Sequence, residues 1–424
     1  MRDADLLDRL ERAAFGYFVD QANPANGLVA DTSRKGAPAS IAVVGFALSA
    51  YPVAVERGFM TREDAAGRTL ATLRFFEASA QDGAPEATGY KGFYYHFLDL
   101  ESGKRVWQCE LSPIDTALLI AGALVAGAYF VGTAAIEAEI RALSQELYGR
   151  VDWDWARNDT PTVAQGWKPG SGFLHYGWEG YNEAAILYVL GLASPTHPLP
   201  AASYAAWTAT YQWEHIYGRD LLYAGPLFIH QFSHAWVDFR GIQDPFMREK
   251  RTDYFENRRR AIDVQREYAR RDPSEHGYYD ADCWGLSAGD GPGQGTVRVG
   301  GRERHFFDYV ARGVPYGPDD GTIAPGAALA SLPFAPAPAL AAVRHFLDLY
   351  PEWAETWRLP SGFNRAARGA DSRGWVSEGY FGLDQGLAVL MIENHRSGLI
   401  WKLMRGSSPI RTGLERAGFA GGWL

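Results

Sequence analysis

Apolar residues at helical spacing run through most of this chain, and no other pattern in the sequence constrains its fold as strongly. Residues 4–22 place Leu6, Leu7, Leu10, Ala14, Phe18 and Val19 on one face, the period that buries one side of a helix. The same period recurs over 39–58, 61–81, 112–131, 133–150, 180–192, 200–217, 251–270, 335–350 and 382–394. Helices so dominant predict an all-α fold. The connections between them, such as "GWKPGSGFLHYGW" and the Gly-rich run 289–326, exceed the few residues that join a compact helix pair. Their Trp, Tyr and Phe argue for order, because disordered segments are poor in aromatics. Many helices with long ordered loops at one end predict a helical barrel or toroid, with residues 1–424 as one domain. Two smaller helical domains are the competing arrangement.

One strand pair is legible. "GFYYHFLDL" and "RVWQCEL" flank the turn "ESGK" and predict a short β-hairpin. It delivers Glu110 to the mouth of the helix "SPIDTALLIAGAL", whose start is marked by Ser112 as N-cap, Pro113 at the first position and Asp115 at the third.

Composition narrows the partners. The chain has 424 residues, 47% of them hydrophobic, with 14 Trp, 22 Tyr and 22 Phe, enough for a large core. A formal charge of −9 and the lack of any Lys/Arg-rich block offer nothing to a phosphate backbone, so no nucleic-acid partner is expected. No apolar run reaches the roughly 18 residues of a membrane span. The start "MRDADLLDRLERAAFGYF" has no apolar leader core, which predicts a cytoplasmic location as written, or a periplasmic one if a leader has been removed. Cys109 and Cys283 make no CxxC motif and no disulfide framework.

Glu183 and Glu110 share a setting: each lies beside the start of an apolar helix, in a polar and aromatic stretch. A capping carboxylate is the bland reading, contributing about 0.3–1 kcal/mol. The sharper reading is a catalytic pair. Glycoside hydrolysis uses one carboxylic acid to protonate the leaving oxygen and a carboxylate to support water or attack the anomeric carbon, while Trp and Tyr stack on sugar rings. Candidate platforms are Trp107, Trp167, Trp178, Tyr181, Trp284, Trp375 and Tyr380. Asp115 caps its helix and is close enough in sequence to tune Glu110. Asp31 and Arg34 either form a salt bridge or bind sugar hydroxyls. Asp384, with Gln385, opens the apolar run 382–394 as a third acid. His230 and His234 have the spacing of a metal pair but lack the Glu of HExxH, and Asp290 lies in a glycine-rich turn expected near the cleft.

"WQCELSPIDTALLIAGAL", "GWEGYNEAAILYVLGLASPTHPL", "CWGLSAGDGP", "DDGTIAPGAALASLPFAP" and "FGLDQGLAVLMIENHRSGLIWKL" resemble, in this order, segments of the bacterial glucoamylase-like family that includes the endo-β-1,2-glucanases of glycoside hydrolase family 144. The cyclisation domain of cyclic β-1,2-glucan synthases is a related relative. The resemblance implies an (α/α)6 barrel with a cleft at one end, activity on β-1,2-linked glucan, no metal and no organic cofactor. It places Glu183 and Glu110 as the main catalytic residues, with Asp384 as another acid of the cleft. Cys109 departs from a small polar residue and Gly289 from a polar or charged one. Internal cleavage into sophorooligosaccharides is the leading expectation. Release of sophorose from an end, transglycosylation or cyclisation, and a glucan-binding protein without turnover are the alternatives; the anomeric outcome and oligomeric state stay open. Trp178 and Tyr181 should desolvate Glu183 and keep it protonated as the general acid. The helix mouth at Ser112 should keep Glu110 ionised as base or nucleophile, a role it can share with Asp384.

Overall fold

The computed structural model describes residues 1–299, 301–367, 369 and 372–424. Its helices are α1 (Asp3–Asp20), α2 (Ile41–Glu56), α3 (Arg62–Ala78), α4 (Pro113–Tyr129), α5 (Ala135–Arg150), α6 (Ala185–Ala193), α7 (Ala201–Thr208), α8 (Phe232–Trp236), α9 (Pro245–Glu249), α10 (Tyr254–Arg271), α11 (Pro325–Leu329), α12 (Pro336–Leu349), α13 (Trp353–Thr356), α14 (Gly382–Arg396), α15 (Leu399–Arg405) and α16 (Ser408–Arg416). Among the described residues the strands are short and pair two by two, so the protein is helix-rich.

Two kinds of helix follow from two kinds of sequence. α2, α4, α6 and α14 are buried along almost their whole length, as an all-round apolar helix must be. α3, α10 and α12 bury one face only; in α3 that face is Ala65, Ala66, Thr69, Leu70, Thr72, Leu73 and Phe76. α2 packs on α4 and α14, α1 on α14, and α5 on α3 and α4. The α2–α4 crossing needs glycine on both sides. A Cβ on Gly45 would sit 2.3 Å from the Leu118 carbonyl oxygen, and one on Gly122 would sit 2.2 Å from the Gly45 carbonyl oxygen.

Three expectations change. The helix read over 180–192 begins at Ala185, so Glu183 lies in the turn ahead of it rather than in its first turn. The pattern over 200–217 ends as a helix at Thr208, and Trp213–Ile216 then pairs with Arg219–Leu222. Tyr217 and Gly218 both have positive φ, 48° and 74°, which suits a tight hairpin turn; the Tyr at that corner hides it from sequence. The hairpin expected around 101–104 survives as single bridges, Leu98 to Arg105 and Tyr95 to Leu111. Phe93–Tyr94 pairs instead with Gly89–Tyr90, and Phe97–Leu98 with Ala39–Ser40. Trp107 and Gln108 take left-handed backbone (φ 55° and 50°), which breaks any ladder there. Among the described residues no helix is long and apolar enough to cross a membrane.

Candidate active site

The starts of α4, α6, α8 and α14 border a cavity of about 520 Å³. Asp31, Glu110, Asp115, Trp178, Glu183 and Asp384 line it, so six of the residues singled out from sequence come together here. Its apolar wall is Phe97, Leu174, Phe228, Phe232, Tyr309, Phe381 and Leu383. A pocket with many aromatic faces and few converging carboxylates suits a ring-shaped, hydroxylated ligand.

Backbone bonds hold Glu110 in place. Its neighbour Leu111 exchanges two hydrogen bonds with Trp167, N–H to O distances of 2.7 and 3.2 Å, and the His96 amide donates to the Glu110 carbonyl at 3.0 Å. Gly166 faces it with no side chain: a Cβ there would come within 2.8 Å of the Glu110 Cγ. Glu183 is held from the opposite direction. The Ser233 hydroxyl of α8 donates to the Glu183 carbonyl at 2.7 Å and accepts from the Ile186 amide at 3.1 Å. Asn182 accepts from the Ala184 amide at 3.1 Å and from the Trp207 ring nitrogen at 3.0 Å.

The carboxylates of the cavity divide electrically. Burial pushes Glu183 up to about 7, and the charge of Asp115 adds to the effect. Burial likewise pushes Asp384 up to about 7, with the neighbouring charges of Asp31 and Asp290 adding and Ser361 opposing. Asp31 rises to about 6, again through burial. Burial would raise Glu110 too, but a hydrogen bond from His96 and the charge of that ring outweigh it and leave Glu110 below its ordinary value. The first two show desolvation outweighing the helix-terminus preference for an anion.

Sequence reading missed His96, the hub of this arrangement. Its Nδ1 lies 2.8 Å from Glu110 Oε1 and its Nε2 lies 3.6 Å from Asp115 Oδ2. The ring stacks on Phe97, centroids 3.9 Å apart and planes 12° apart. Burial opposes a charge on it, yet Asp115, Glu110 and Asp31 together raise it to about 9. Phe228, Phe232 and Tyr309 were also missed, since as isolated aromatics in "PLFIHQF" and "HFFDYV" they read equally well as core. Among the described residues, His96, Glu110 and Asp115 are the one group of ligand-type atoms near enough to share a metal ion, within 4.8 Å of one another. The two ring nitrogens face different carboxylates, however, which suits a doubly protonated imidazolium rather than a ring with a free lone pair.

The other expected residues lie elsewhere. Arg34 pairs with Asp290 rather than Asp31, and donates to the Glu378 carbonyl at 2.9 Å; Asp290 also accepts from Ser377 at 2.7 Å. Trp284 is wholly buried, and Gln385 donates to the Leu359 carbonyl at 3.1 Å behind Asp384. Trp375 sits in a two-residue strand paired with Phe363–Asn364. The Tyr380 hydroxyl lies 3.1 Å from the Thr356 hydroxyl. Tyr181 packs on the core with its hydroxyl 3.1 Å from His230 Nδ1. Trp107, 69% exposed, leans on the Phe97 ring, centroids 5.2 Å apart. His230 ends one short helical turn and His234 lies in the next, α8. His230 Nε2 is 3.1 Å from the Ala224 carbonyl, while the His234 ring is packed against Phe239, Phe255 and Phe334, so the two do not form a metal pair.

The long Gly-rich connection is ordered around Arg312. This buried guanidinium donates to Asp320 at 2.7 and 2.9 Å and to the carbonyls of Gly289, Asp290 and Asp308 at 3.0, 3.3 and 3.2 Å. Tyr309 and Ala311 of the same connection, and Ala288 just ahead of it, reach the cavity wall.

The family model for glycoamylase, described as "Putative glucoamylase", matches residues 175–408. A curated relative, the exo-β-1,2-glucooligosaccharide sophorohydrolase (non-reducing end) of Parabacteroides distasonis, is 27% identical over 458 residues, covering 98% of this chain. The chain spans 58% of that relative's length. Among solved structures, a "putative glucoamylase" of Bacteroides uniformis is similar at 30% identity and a TM-score of 0.89, over 100% of this chain and 99% of that one. The endo-β-1,2-glucanase of Chitinophaga pinensis, solved with sophorotriose and glucose, is similar at 26% identity and a TM-score of 0.86, over 100% of both chains.

Proposed function

The chain belongs to the glycoamylase family, and from that premise we propose that it is a hydrolase of β-1,2-linked glucan, cutting internally to release sophorooligosaccharides. The observation that carries the proposal is the pairing, in one aromatic-walled cavity, of Glu183, raised to about 7 by burial, with Glu110, held below its ordinary value by His96. The relatives named above, with an exo-acting sophorohydrolase and an endo-β-1,2-glucanase among them, support the substrate. The largely buried helices α2, α4, α6 and α14 and the one-faced α3, α10 and α12 support an (α/α)6 barrel over residues 1–424, with its cleft at the helix starts.

Glu183 is protonated in the resting enzyme and gives its proton to the glycosidic oxygen as the bond from that oxygen to the anomeric carbon breaks. The leaving sugar departs as an alcohol. Glu110 takes a proton from a water whose oxygen bonds to the anomeric carbon. Each turn leaves Glu183 ionised and Glu110 protonated, and exchange with solvent restores both. Asp384 and Asp31 accept hydroxyl groups of the bound sugars, and the Phe and Trp faces exclude water around them.

Incubation with linear β-1,2-, β-1,3-, β-1,4- and α-linked glucans tests the proposal through reducing ends and product masses. Short β-1,2-oligosaccharides of mixed length are expected from the first glucan only. The activity of the P. distasonis relative favours a second reading, in which sophorose alone is released from the non-reducing end. Products of unaltered reducing-end count would instead mark transglycosylation.

A further inference from the structure

Three carboxylates from two separate segments converge on one imidazole. Asp31 comes from the loop before α2, Glu110 from the segment before α4, and Asp115 from the first turn of α4. Glu110 meets Nδ1 at 2.8 Å and Asp115 faces Nε2 at 3.6 Å. Asp31 acts on the ring through its charge. Lys168 also acts on Glu110, and Arg34 acts on Asp31.

Backbone bonds and stacking hold the ring in addition to these contacts. The His96 amide donates to the Glu110 carbonyl at 3.0 Å, the His96 carbonyl accepts from the Ile41 amide at 3.3 Å, and the neighbouring Phe97–Leu98 pairs with Ala39–Ser40. Stacking on Phe97 fixes the ring plane. Backbone and stacking thus support the imidazole independently of the carboxylate side chains, and the Glu110 carboxylate in turn rests on the imidazole.

We propose that His96 is a positioning residue for hydrolysis, a cationic clamp that bridges Glu110 to Asp115 and fixes which oxygen of Glu110 faces the cavity. The clamp rests on the reading of Glu110 as the catalytic base. With Oε1 engaged by His96, Oε2 is the atom left for water. A charged ring also supplies the counter-ion that three neighbouring carboxylates need; without it, burial and mutual repulsion would drive Glu110 towards its protonated form, which cannot act as a base. The ring gives up no proton in the reaction and touches no reacting atom.

The test pairs His96→Gln and His96→Asn with nuclear magnetic resonance of the ring nitrogens in the intact wild-type protein. The wild-type ring is expected to stay doubly protonated through neutral pH and to lose its proton near pH 9; in Glu110→Gln that loss moves to lower pH. These signals need no substrate, so they judge the clamp even if β-1,2-glucan is not turned over. On β-1,2-glucan, both His96 variants should keep the circular dichroism of the wild type. Their kcat should fall by about 10-fold to 10²-fold with KM changed less than about twofold. The acid limb of the pH profile should rise by about 1–3 pH units, the size of effect an opposite charge exerts at this range. A ring that is neutral at pH 7, or a His96→Gln variant with an unmoved acid limb, overturns the clamp. So does activity lost to a chelator and restored by a divalent cation, since a metal would then hold the ring nitrogen.

Discussion

The Ser233 hydroxyl sits between the Glu183 carbonyl, to which it donates at 2.7 Å, and the Ile186 amide, from which it accepts at 3.1 Å. One side chain of α8 thus closes the open start of α6 and fixes the direction in which Glu183 leaves it. α6 has no side-chain cap of its own, so Ser233 stands in for one. Ser233→Ala leaves a buried carbonyl and amide unpaired, costing about 1–3 kcal/mol. A lower thermal midpoint is expected, together with a fall in kcat of about tenfold from misplacement of the acid.

Glu183→Gln keeps the size and most of the hydrogen bonding of the side chain and removes only its proton. Turnover of β-1,2-glucan should fall by about 10²–10⁴-fold with an unchanged circular dichroism spectrum. Near-normal turnover would make Glu183 a structural residue of the helix start.

The pH profile of kcat/KM should be bell-shaped, with limbs of different origin. As the proposed acid, Glu183 acts in its protonated form, so activity should be lost as pH rises through about 7. Glu110 is held low by His96; as the proposed base it acts ionised, so activity should persist below the ordinary carboxylate range and be lost only as pH falls through that lowered value. Asp384 and Asp31, raised to about 7 and about 6, titrate in the same window. Glu183→Gln should therefore flatten the alkaline limb as far as its residual rate can be followed.

Glu110→Gln and Asp384→Asn separate the base from its neighbour. If Glu110 activates water, its variant loses about 10²-fold or more in kcat, while Asp384→Asn acts chiefly on KM. The first product of the wild-type enzyme should carry the inverted, α configuration by proton resonance; a β product would make Glu110 a nucleophile. A larger kcat loss in Asp384→Asn would move the base to α14.

Gly122→Ala should destabilise without touching the site. Its Cβ would meet the Gly45 carbonyl oxygen at 2.2 Å, a backbone atom that cannot swing aside, so α2 and α4 must separate. Overpacking of this kind costs about 1–3 kcal/mol. The thermal midpoint should drop, while kcat of the folded enzyme stays within about twofold.

Which residues would form helices was legible in the chain itself, because periodicity and end signals act within a few turns. The start of α4 at Ser112 and Pro113 and the apolar runs of α2 and α14 lie where the pattern put them. Glu110, Glu183 and Asp384 were legible as carboxylates at such starts, since a charge beside an apolar run is a local anomaly. Apart from Trp178, which aromatics face the cavity was not legible: Trp284 lies in the core and Phe228 at the wall, and both read alike as aromatics outside the regular helices. The tight turn at Tyr217 and Gly218 escaped for a related reason, since its positive φ angles fall partly on a residue that seldom adopts them. Only tertiary structure could bring His96 to Glu110 and Asp115. The charge of a buried group depends on every carboxylate that packing gathers around it and on the water it shuts out, and the meeting of three separate segments is written in no single stretch of sequence.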